Sequence, residues 1–260
     1  MKPIVKYQGG KSKELKRIVP LLPEYTRMVE PFAGGAAVAF NQEKDMWLND
    51  INTSLINLYR VVAGDMYYDL QSAIAPLYSM EHDDLSREFY EARDVINNSC
   101  VDGVLWAKSY IVVRQLCYSG MERYNSSGAF NVPFGHYKKF ACYLSDSHHD
   151  LLSRATVTLS SAVDVINDSV EGDFLFIDPP YMDRAGYTNG DGGDLHVDLH
   201  SALSDADSPW MIVHSDNDFY RDMYSGYMTV EKDFQYVELL EDELDPVLEN
   251  KFEINVSLFV

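Results

Sequence analysis

The feature that most constrains the fold of this 260-residue chain is a series of short apolar segments that each end at a turn. Segment 28–29 leads into a glycine-containing turn at 31–35, and segment 46–48 ends at Asn49-Asp50. Patterns typical of helices follow both turns. Because strands that alternate with helices are characteristic of βαβ units, the start of the chain predicts an α/β fold with a mostly parallel sheet.

Different sequence features predict the two helices that follow these turns. Residues 36–40 are apolar and are predicted to begin a buried helix. Thr53 or Ser54 is predicted to cap the second helix, since a hydroxyl side chain can accept a hydrogen bond from a free backbone N–H. Apolar residues recur there at helical spacing, at Leu55, Leu58, Tyr59 and Val62.

The middle of the chain loses this alternation. Residues 64–150 have mostly helical patterns, clearest at 104–118, followed by a loop rich in Gly, Asn, Ser and Pro at 119–135. Strands are predicted again at 156–159, 174–177 and 211–214, and the segments near 234–239 and 252–260 suit an antiparallel pair at the sheet edge. The sequence therefore predicts one α/β domain, residues 1–53 and 150–260, with an inserted helical domain at 54–149.

Composition narrows the class of protein. Hydrophobic residues make up 46% of the chain, which is ample for a packed core. The three cysteines are too few and too far apart for a disulfide framework or a zinc site. No segment resembles a signal peptide or a membrane span. We therefore expect a cytoplasmic protein that binds neither a metal nor a membrane.

The charge of the chain is strongly negative but unevenly distributed. The formal net charge is −20, yet residues 1–27 hold seven Lys or Arg and two Glu, and residues 108–140 hold five and one. Basic residues confined to two segments suit a local phosphate-binding surface on an acidic body. Ordinary solvated faces explain the same distribution, so charge alone does not decide between these interpretations.

The sharpest chemical motif is Asp178-Pro179-Pro180-Tyr181, directly after the apolar run 174–177. Ligands of open α/β sheets bind beyond the carboxyl ends of strands, so a carboxylate held there by two prolines is a rigid acceptor. Methylation of adenine is a reaction that needs such an acceptor and the aromatic ring of Tyr181, because the amino nitrogen of adenine is a poor nucleophile. A carboxylate and a backbone carbonyl that accept its hydrogens stabilise the charge that develops on it, and the aromatic ring stacks on the base. The alternative is a simple turn that leaves a buried strand.

Two further motifs contain glycine pairs. Glu30-Pro31-Phe32-Ala33-Gly34-Gly35 joins a predicted strand to a predicted helix, and Asp50 ends the next strand, where a carboxylate suits ribose hydroxyls. Neither a phosphate-loop lysine nor a GxGxxG pattern is present, which favours a nucleoside ligand without a pyrophosphate. Asp50 suits a helix cap equally well. The N-terminal segment 6–11, with Gly9-Gly10 between lysines, suits a cofactor carboxylate, a DNA phosphate or a plain basic arm.

A fourth segment, residues 118–139, mixes arginine, aromatic, glycine and asparagine residues in an irregular stretch. A loop of this kind can present an arginine to guanine in the major groove and insert an aromatic ring into the base stack. A surface loop that packs on its own aromatic residues is the alternative.

Taken together and in this order, the four motifs resemble the Dam-type, D12 class DNA adenine-N6 methyltransferases. The similarity runs through KYQGGK, VEPFAGGAAVAF, LNDINTSLINLY, YSGMERYNSSGAFNVPFGHYKK, DFLFIDPPY and IVHSDNDFY. It implies a mostly parallel Rossmann-like methyltransferase sheet with a terminal antiparallel hairpin. Residues 54–149 are then the inserted helical target-recognition domain.

The resemblance also implies roles for particular residues. The catalytic motif is then Asp178, Pro179, Pro180 and Tyr181. The residues around S-adenosylmethionine are then Tyr7, Lys11, Phe32, Gly34, Asp50 and Asp178. The residues that contact DNA are then Lys6, Tyr118, Ser119, Met121, Arg123, Asn125, Pro133, Tyr137, Lys138 and Lys139. Ser119 departs from the asparagine common at its position in the family.

The expected function is transfer of a methyl group from S-adenosylmethionine to the amino nitrogen of adenine in double-stranded DNA, with GATC as the expected site. The target base is expected to flip out of the helix, and no metal is expected to take part. Two alternatives stay open at this point. One is the same fold acting on another amino acceptor, and the other is a catalytically inactive module that binds DNA or protein.

Overall fold

The computed structural model describes residues 1–99, 103–181, 192–215, 217–227, 229–234 and 254–259. Within these ranges, seven strands form one sheet: β1 Arg27–Glu30, β2 Asp45–Asn49, β3 Thr156–Thr158, β4 Asp173–Ile177, β5 Trp210–Ser215, β6 Thr229–Phe234 and β7 Ile254–Phe259. The α-helices of the described residues are α1 Leu15–Ile18, α2 Thr53–Ala63, α3 Tyr67–Ile74, α4 His82–Asn98, α5 Gly103–Leu116, α6 Asp146–Leu152, α7 Ala162–Asn167, α8 Gly192–Asp205 and α9 Asp218–Met223.

The strand order is β3-β2-β1-β4-β5-β7-β6, and the first five strands are all parallel. All five coincide with segments that the sequence predicts as strands. The predicted α/β fold with a mostly parallel, Rossmann-like sheet is therefore confirmed. β7 pairs antiparallel with β5 and with β6. Of the segments predicted near 234–239 and 252–260, residues 235–239, 252–253 and 260 lie outside the described residues.

Side-chain alternation along the central strands builds the two halves of the core. On β4, Phe174 and Phe176 belong to one buried cluster, and Leu175 and Ile177 belong to the other. Successive side chains of a strand point to opposite faces, so a strand covered on both faces is apolar throughout. Helices α2 to α5 pack in the first cluster, and α7 to α9 pack in the second.

Two local predictions at the first turns are wrong. The segment from Ala36 forms only a 3-10 turn at Ala39–Asn41, where a carboxyl oxygen of the buried Glu30 accepts the N–H of Ala39 at 2.7 Å. The cap of α2 is Asn52 rather than Thr53 or Ser54. Its side-chain oxygen accepts the N–H groups of Ser54 and Leu55, which leaves Thr53 as the first helical residue.

Helices α3 to α6 agree with the mostly helical pattern that the sequence predicts for residues 64–150. After α5 the chain forms a 3-10 turn at Tyr118–Gly120 and two isolated bridges, Cys117 to Phe134 and Tyr124 to Phe130, and the predicted loop is otherwise irregular. The first buried cluster contains residues of both the sheet and these helices. The division into a catalytic domain and a recognition domain stays a prediction. Among the described helices, none has the length and apolar character needed to cross a bilayer.

Candidate active site and recognition surface

The site lies where the chain reverses its direction of travel across the sheet. From β1 the chain moves to β2 and β3 on one side, and β4 and β5 lie on the other side. Such a switch point opens a crevice at the carboxyl ends of the central strands. β1, β2 and β4 end at Glu30, Asn49 and Ile177, so the glycine turn, Asp50 and Asp178 meet at this edge.

Asp178 is held by two of the residues that the sequence predicts beside it. The Lys11 ammonium donates to both carboxylate oxygens, at 2.6 Å to Oδ1 and 2.5 Å to Oδ2, and also to the carbonyl of Gly9 at 3.0 Å. The Tyr181 hydroxyl donates to Asp178 Oδ1 at 3.2 Å. Lys11 is only 5% exposed, so its charge serves this ion pair and is not available to a phosphate at the surface.

The glycine turn is tightly covered by an aromatic ring. Gly34 has a φ of +46°, and a Cβ at this position would lie 2.9 Å from Cε1 of Tyr7. Its N–H donates to Asp50 Oδ2 at 2.9 Å, and its carbonyl accepts the Tyr59 hydroxyl at 2.6 Å. Only glycine combines this backbone conformation with so close an approach. The contacts bring Tyr7, Gly34 and Asp50 together, and their contact with the cofactor stays a prediction.

Asp50 is nearly buried and accepts two backbone N–H groups, those of Gly34 and Asn52. Burial raises the pKa of its carboxyl above the ordinary value, and the two N–H donors oppose that rise. An ionised carboxylate offers about four acceptor positions, so capacity remains for hydroxyl groups of a ligand. Next to it, Ile51 is 77% exposed, while Phe32 is half-buried. Ile51 was assigned no role from the sequence, although its place directly after a strand-end carboxylate was visible.

Glu30 is a second buried carboxyl at this edge, and the sequence motif assigned it no role. Glu30 is the last residue of β1, and its side chain accepts the N–H of Ala39 at the 3-10 turn. Burial raises the pKa of Glu30 from 4.5 to about 8, although the hydrogen bond from Ala39 opposes this rise. The nearby negative charge of Asp178 raises the pKa further, and the positive charge of Lys11 lowers it. Glu30 is therefore mostly protonated at neutral pH.

We expect Glu30→Gln to flatten the dependence of stability on pH. A carboxyl whose pKa is raised on folding favours the folded state below its unfolded value, near 4.5, and this contribution is lost as the pH rises towards about 8. The wild-type free energy of unfolding should therefore fall relative to that of Glu30→Gln between pH 5 and 8. Urea unfolding across this range measures it, with the exposed Glu43→Gln as control. Parallel curves for wild type and Glu30→Gln contradict the assignment.

Arg114 ties the N-terminal segment to the loop that follows α5, a role that sequence reasoning missed. Its guanidinium is 0% exposed and donates to the carbonyl of Lys6 through Nε and Nη2, at 3.2 and 2.9 Å. It also donates to the carbonyl of Met121 at 3.1 Å, and its Nη1 lies 3.2 Å from a carboxylate oxygen of Glu122. A buried charge needs such partners. Because Arg114 bonds to both segments, it holds the N-terminal segment and the loop after α5 side by side, and their residues form one continuous surface.

The surface beside Arg114 gathers several of the predicted DNA-contacting residues. The Lys6 ammonium lies 4.0 Å from the centroid of the Tyr137 ring, a cation–π contact. The N–H of Tyr118 donates to the carbonyl of Pro133 at 2.9 Å. Gly135 allows this packing, because a Cβ there would lie 2.5 Å from the Tyr137 ring.

The hairpin-like stretch after Met121 presents Arg123 at the surface. Asn131 receives Arg123 Nε on its side-chain oxygen at 2.8 Å, which orients the guanidinium. The side-chain oxygen of Asn125 accepts the N–H groups of Ser127 and Ala129 and thereby holds the turn. Asn125 has this structural task, and its contact with DNA stays a prediction.

The ten residues predicted to contact DNA are all accessible. Met121 and Tyr137 are half-buried, and the exposed members are Lys6, Tyr118, Ser119, Arg123, Asn125, Pro133, Lys138 and Lys139. Ser119 has a φ of +54°, a left-handed conformation that is uncommon for a residue with a side chain. In the described part of the chain, no group of three or more His, Cys, Asp or Glu residues is arranged to hold a metal ion.

Comparison with known proteins agrees with this geometry. Residues 7–237 match the sequence model of the D12 class N6 adenine-specific DNA methyltransferase.

The type II methyltransferase M.CviBI of Paramecium bursaria Chlorella virus NC1A is 34% identical over 252 residues, 91% of this chain and 91% of that protein. The Retron Ec67 DNA adenine methylase of Escherichia coli is 30% identical, over 87% of this chain and 82% of that protein. The DNA adenine methylase of Serratia marcescens is 29% identical, over 85% and 86%. With the family match spanning most of the chain, this protein belongs to the D12 class of adenine-specific DNA methyltransferases.

Proposed function

We propose that this enzyme transfers a methyl group from S-adenosylmethionine to the amino nitrogen of adenine within GATC in double-stranded DNA. The observation that carries the proposal is the placement of Asp178 and Tyr181 at the switch point, beside the glycine turn and Asp50. This arrangement puts an acceptor for an amino group and an aromatic ring next to a candidate nucleoside pocket.

The residues of the pocket fit S-adenosylmethionine. Asp50 keeps acceptor capacity for the two ribose hydroxyls, and the exposed side chain of Ile51 offers an apolar surface for an adenine ring. Gly34 leaves room where a side chain would meet Tyr7. When bound, the cofactor supplies a methyl group already activated by a sulfonium charge, so no metal is needed for its transfer.

The residues of the catalytic motif would act on the flipped base. Asp178 and the carbonyl of Pro179 would accept the two hydrogens of the adenine amino group and stabilise the positive charge that develops on its nitrogen. Tyr181 would stack on the ring. Lys11 would hold the carboxylate of Asp178 in a fixed orientation before the base arrives, through its two short contacts. Flipping the base costs roughly a few kcal/mol, which contacts in the pocket must offset.

The surface formed by Lys6, Arg123, Pro133 and Tyr137 supports recognition of GATC. Arg123 is exposed and is oriented by Asn131, as bidentate contact with the O6 and N7 atoms of guanine requires. Lys6 lies directly before Tyr7, so recognition of a base and binding of the cofactor involve adjacent residues. Arg114 holds both segments in register.

A methylation assay with defined duplexes tests the proposal. The purified protein is incubated with labelled S-adenosylmethionine and either a GATC duplex or one in which only the third base is changed, and the DNA is hydrolysed to nucleosides. We expect N6-methyladenine from the GATC duplex. Label on cytosine, or on RNA offered in parallel, indicates another amino acceptor. Binding of DNA without any transfer indicates an inactive module, and equal labelling of both duplexes removes GATC from the proposal.

Asp50→Ala is expected to weaken binding of S-adenosylmethionine about 10- to 100-fold. Loss of hydrogen bonds to a charged carboxylate costs roughly 1.5–3 kcal/mol, which corresponds to that range. Isothermal calorimetry measures the dissociation constant, with Asp45→Ala as control, because Asp45 is exposed at the opposite end of the same strand. An unchanged constant for folded Asp50→Ala removes this residue from the cofactor site.

A further inference from the structure

A buried group of imidazole and phenol rings lies next to the catalytic motif. Its members are His196 on α8, His214 on β5 and Tyr220 on α9, and each is no more than 1% exposed. His214 and Tyr220 stack with centroids 3.9 Å apart, and His196 meets the edges of both rings. The reaction proposed above makes no use of this group.

One polar atom of the group reaches the catalytic motif. His196 Nε2 lies 3.1 Å from the carbonyl oxygen of Pro180 and 3.1 Å from the hydroxyl of Tyr220. A carbonyl oxygen only accepts hydrogen bonds, so we assign the ring proton to Nε2. His196 therefore donates to Pro180, and the Tyr220 hydroxyl adjoins the same N–H.

The chemistry of two successive prolines explains why this contact matters. Pro179 and Pro180 have no backbone N–H, so this part of the motif cannot be anchored through its own donors. The carbonyl of Pro180 and the N–H of Tyr181 belong to one planar peptide unit. A donor that fixes the carbonyl therefore also fixes the plane from which the Tyr181 side chain departs.

The ring of His196 is itself well fixed. It meets Tyr220 edge-on with centroids 5.1 Å apart and His214 with centroids 5.5 Å apart. Burial lowers the pKa of His214 to about 2, with a further lowering from His196, so His214 is neutral at neutral pH. Two edge-on contacts in a packed core leave the imidazole little freedom to rotate.

We propose that His196 is a positioning residue, which sets the orientation of Tyr181 against the target base by holding the Pro180 carbonyl. This inference rests on the proposed function, since it assigns Tyr181 to the base. His196 touches neither the base nor the cofactor. Its loss should therefore slow the methyl-transfer step and leave the binding of S-adenosylmethionine unchanged.

Three substitutions of His196 separate the donor from the packing. Gln places an amide nitrogen near the position of Nε2, Asn is too short to reach Pro180, and Phe keeps the ring but has no donor. His200→Gln is the matched control, because His200 lies one turn further along α8 and packs on Tyr224 without contacting the motif. Single-turnover transfer, the dissociation constant of S-adenosylmethionine and the KM for DNA are measured for each variant.

We expect single-turnover rates about tenfold lower for His196→Asn and His196→Phe, as the loss of one hydrogen bond predicts. His196→Gln should stay within about threefold of wild type, and His200→Gln should match it.

Rates for Asn or Phe equal to wild type overturn the proposal. So does a Gln variant as slow as Asn, or an equal loss of cofactor binding in all three. Absence of transfer in the wild type refutes the proposed function instead. If Phe does not fold, the comparison of Gln with Asn decides, since both are amides.

Discussion

Asp178→Ala is expected to reduce the single-turnover rate of methyl transfer by about 10³-fold or more, while binding of S-adenosylmethionine largely survives. Removing one preorganised group that stabilises developing charge costs about 10²- to 10³-fold in comparable sites. Here the substitution also removes the partner of a buried ammonium, because Lys11 donates to both oxygens of Asp178. Asp50 and the glycine turn remain, so the cofactor pocket keeps its main contacts.

Two further variants show whether the loss is chemical. Asp178→Asn keeps an oxygen that can accept one amino hydrogen but lacks the charge, so we expect a rate between those of wild type and Asp178→Ala. Asp173→Asn changes a carboxylate at the other end of β4, where Arg27 donates to both of its oxygens. It should lower stability and leave the rate of transfer by folded protein intact. An active Asp178→Ala protein would refute the mechanism.

Arg123→Ala is expected to lose more activity on GATC than on duplexes altered at the third base. A bidentate contact between arginine and guanine contributes ~1–3 kcal/mol of discrimination, a factor of up to about 100 in relative kcat/KM. Arg123 suits this role because it is exposed and because Asn131 orients it: Nε donates to the Asn131 side-chain oxygen at 2.8 Å and Nη2 to the Asn131 carbonyl at 3.4 Å. Nη1 and the second N–H of Nη2 then form the fork that would meet guanine. Matched kinetics on GATC and on third-base variants measure the ratio.

Lys138→Ala is the matched control for Arg123→Ala. Lys138 is exposed a few residues beyond the hairpin, where a phosphate contact is expected. Its loss should weaken binding to all duplexes to a similar degree and reduce the dependence of binding on salt. If Arg123→Ala slows every substrate by the same factor, Arg123 contacts phosphate or supports the loop, and the GATC assignment loses its main support.

The sequence by itself determined the parallel strands of the sheet and the edge at which the chemistry lies. β4 was predictable because an apolar run that is buried on both faces is a local property of the chain. Asp178 and Asp50 were predictable as neighbours because each directly follows a strand, and carboxyl ends of parallel strands meet at one edge. These inferences need only the residues within a few positions of each strand.

Only the tertiary structure decided which side chains bind one another. Lys11 and Asp178 are 167 residues apart in sequence, and Arg114 and Lys6 are 108 apart, so no local pattern indicates either contact. The wrong cap of α2 has a similar cause, since Asn52 also donates to Glu122, which lies far along the chain in the loop after α5. His196 acquires its contact with Pro180 only when α8 packs next to the motif. Hydrophobic periodicity indicates which face of a helix or strand is buried. The pairing of polar groups depends instead on which distant segments of the chain come into contact in the folded protein.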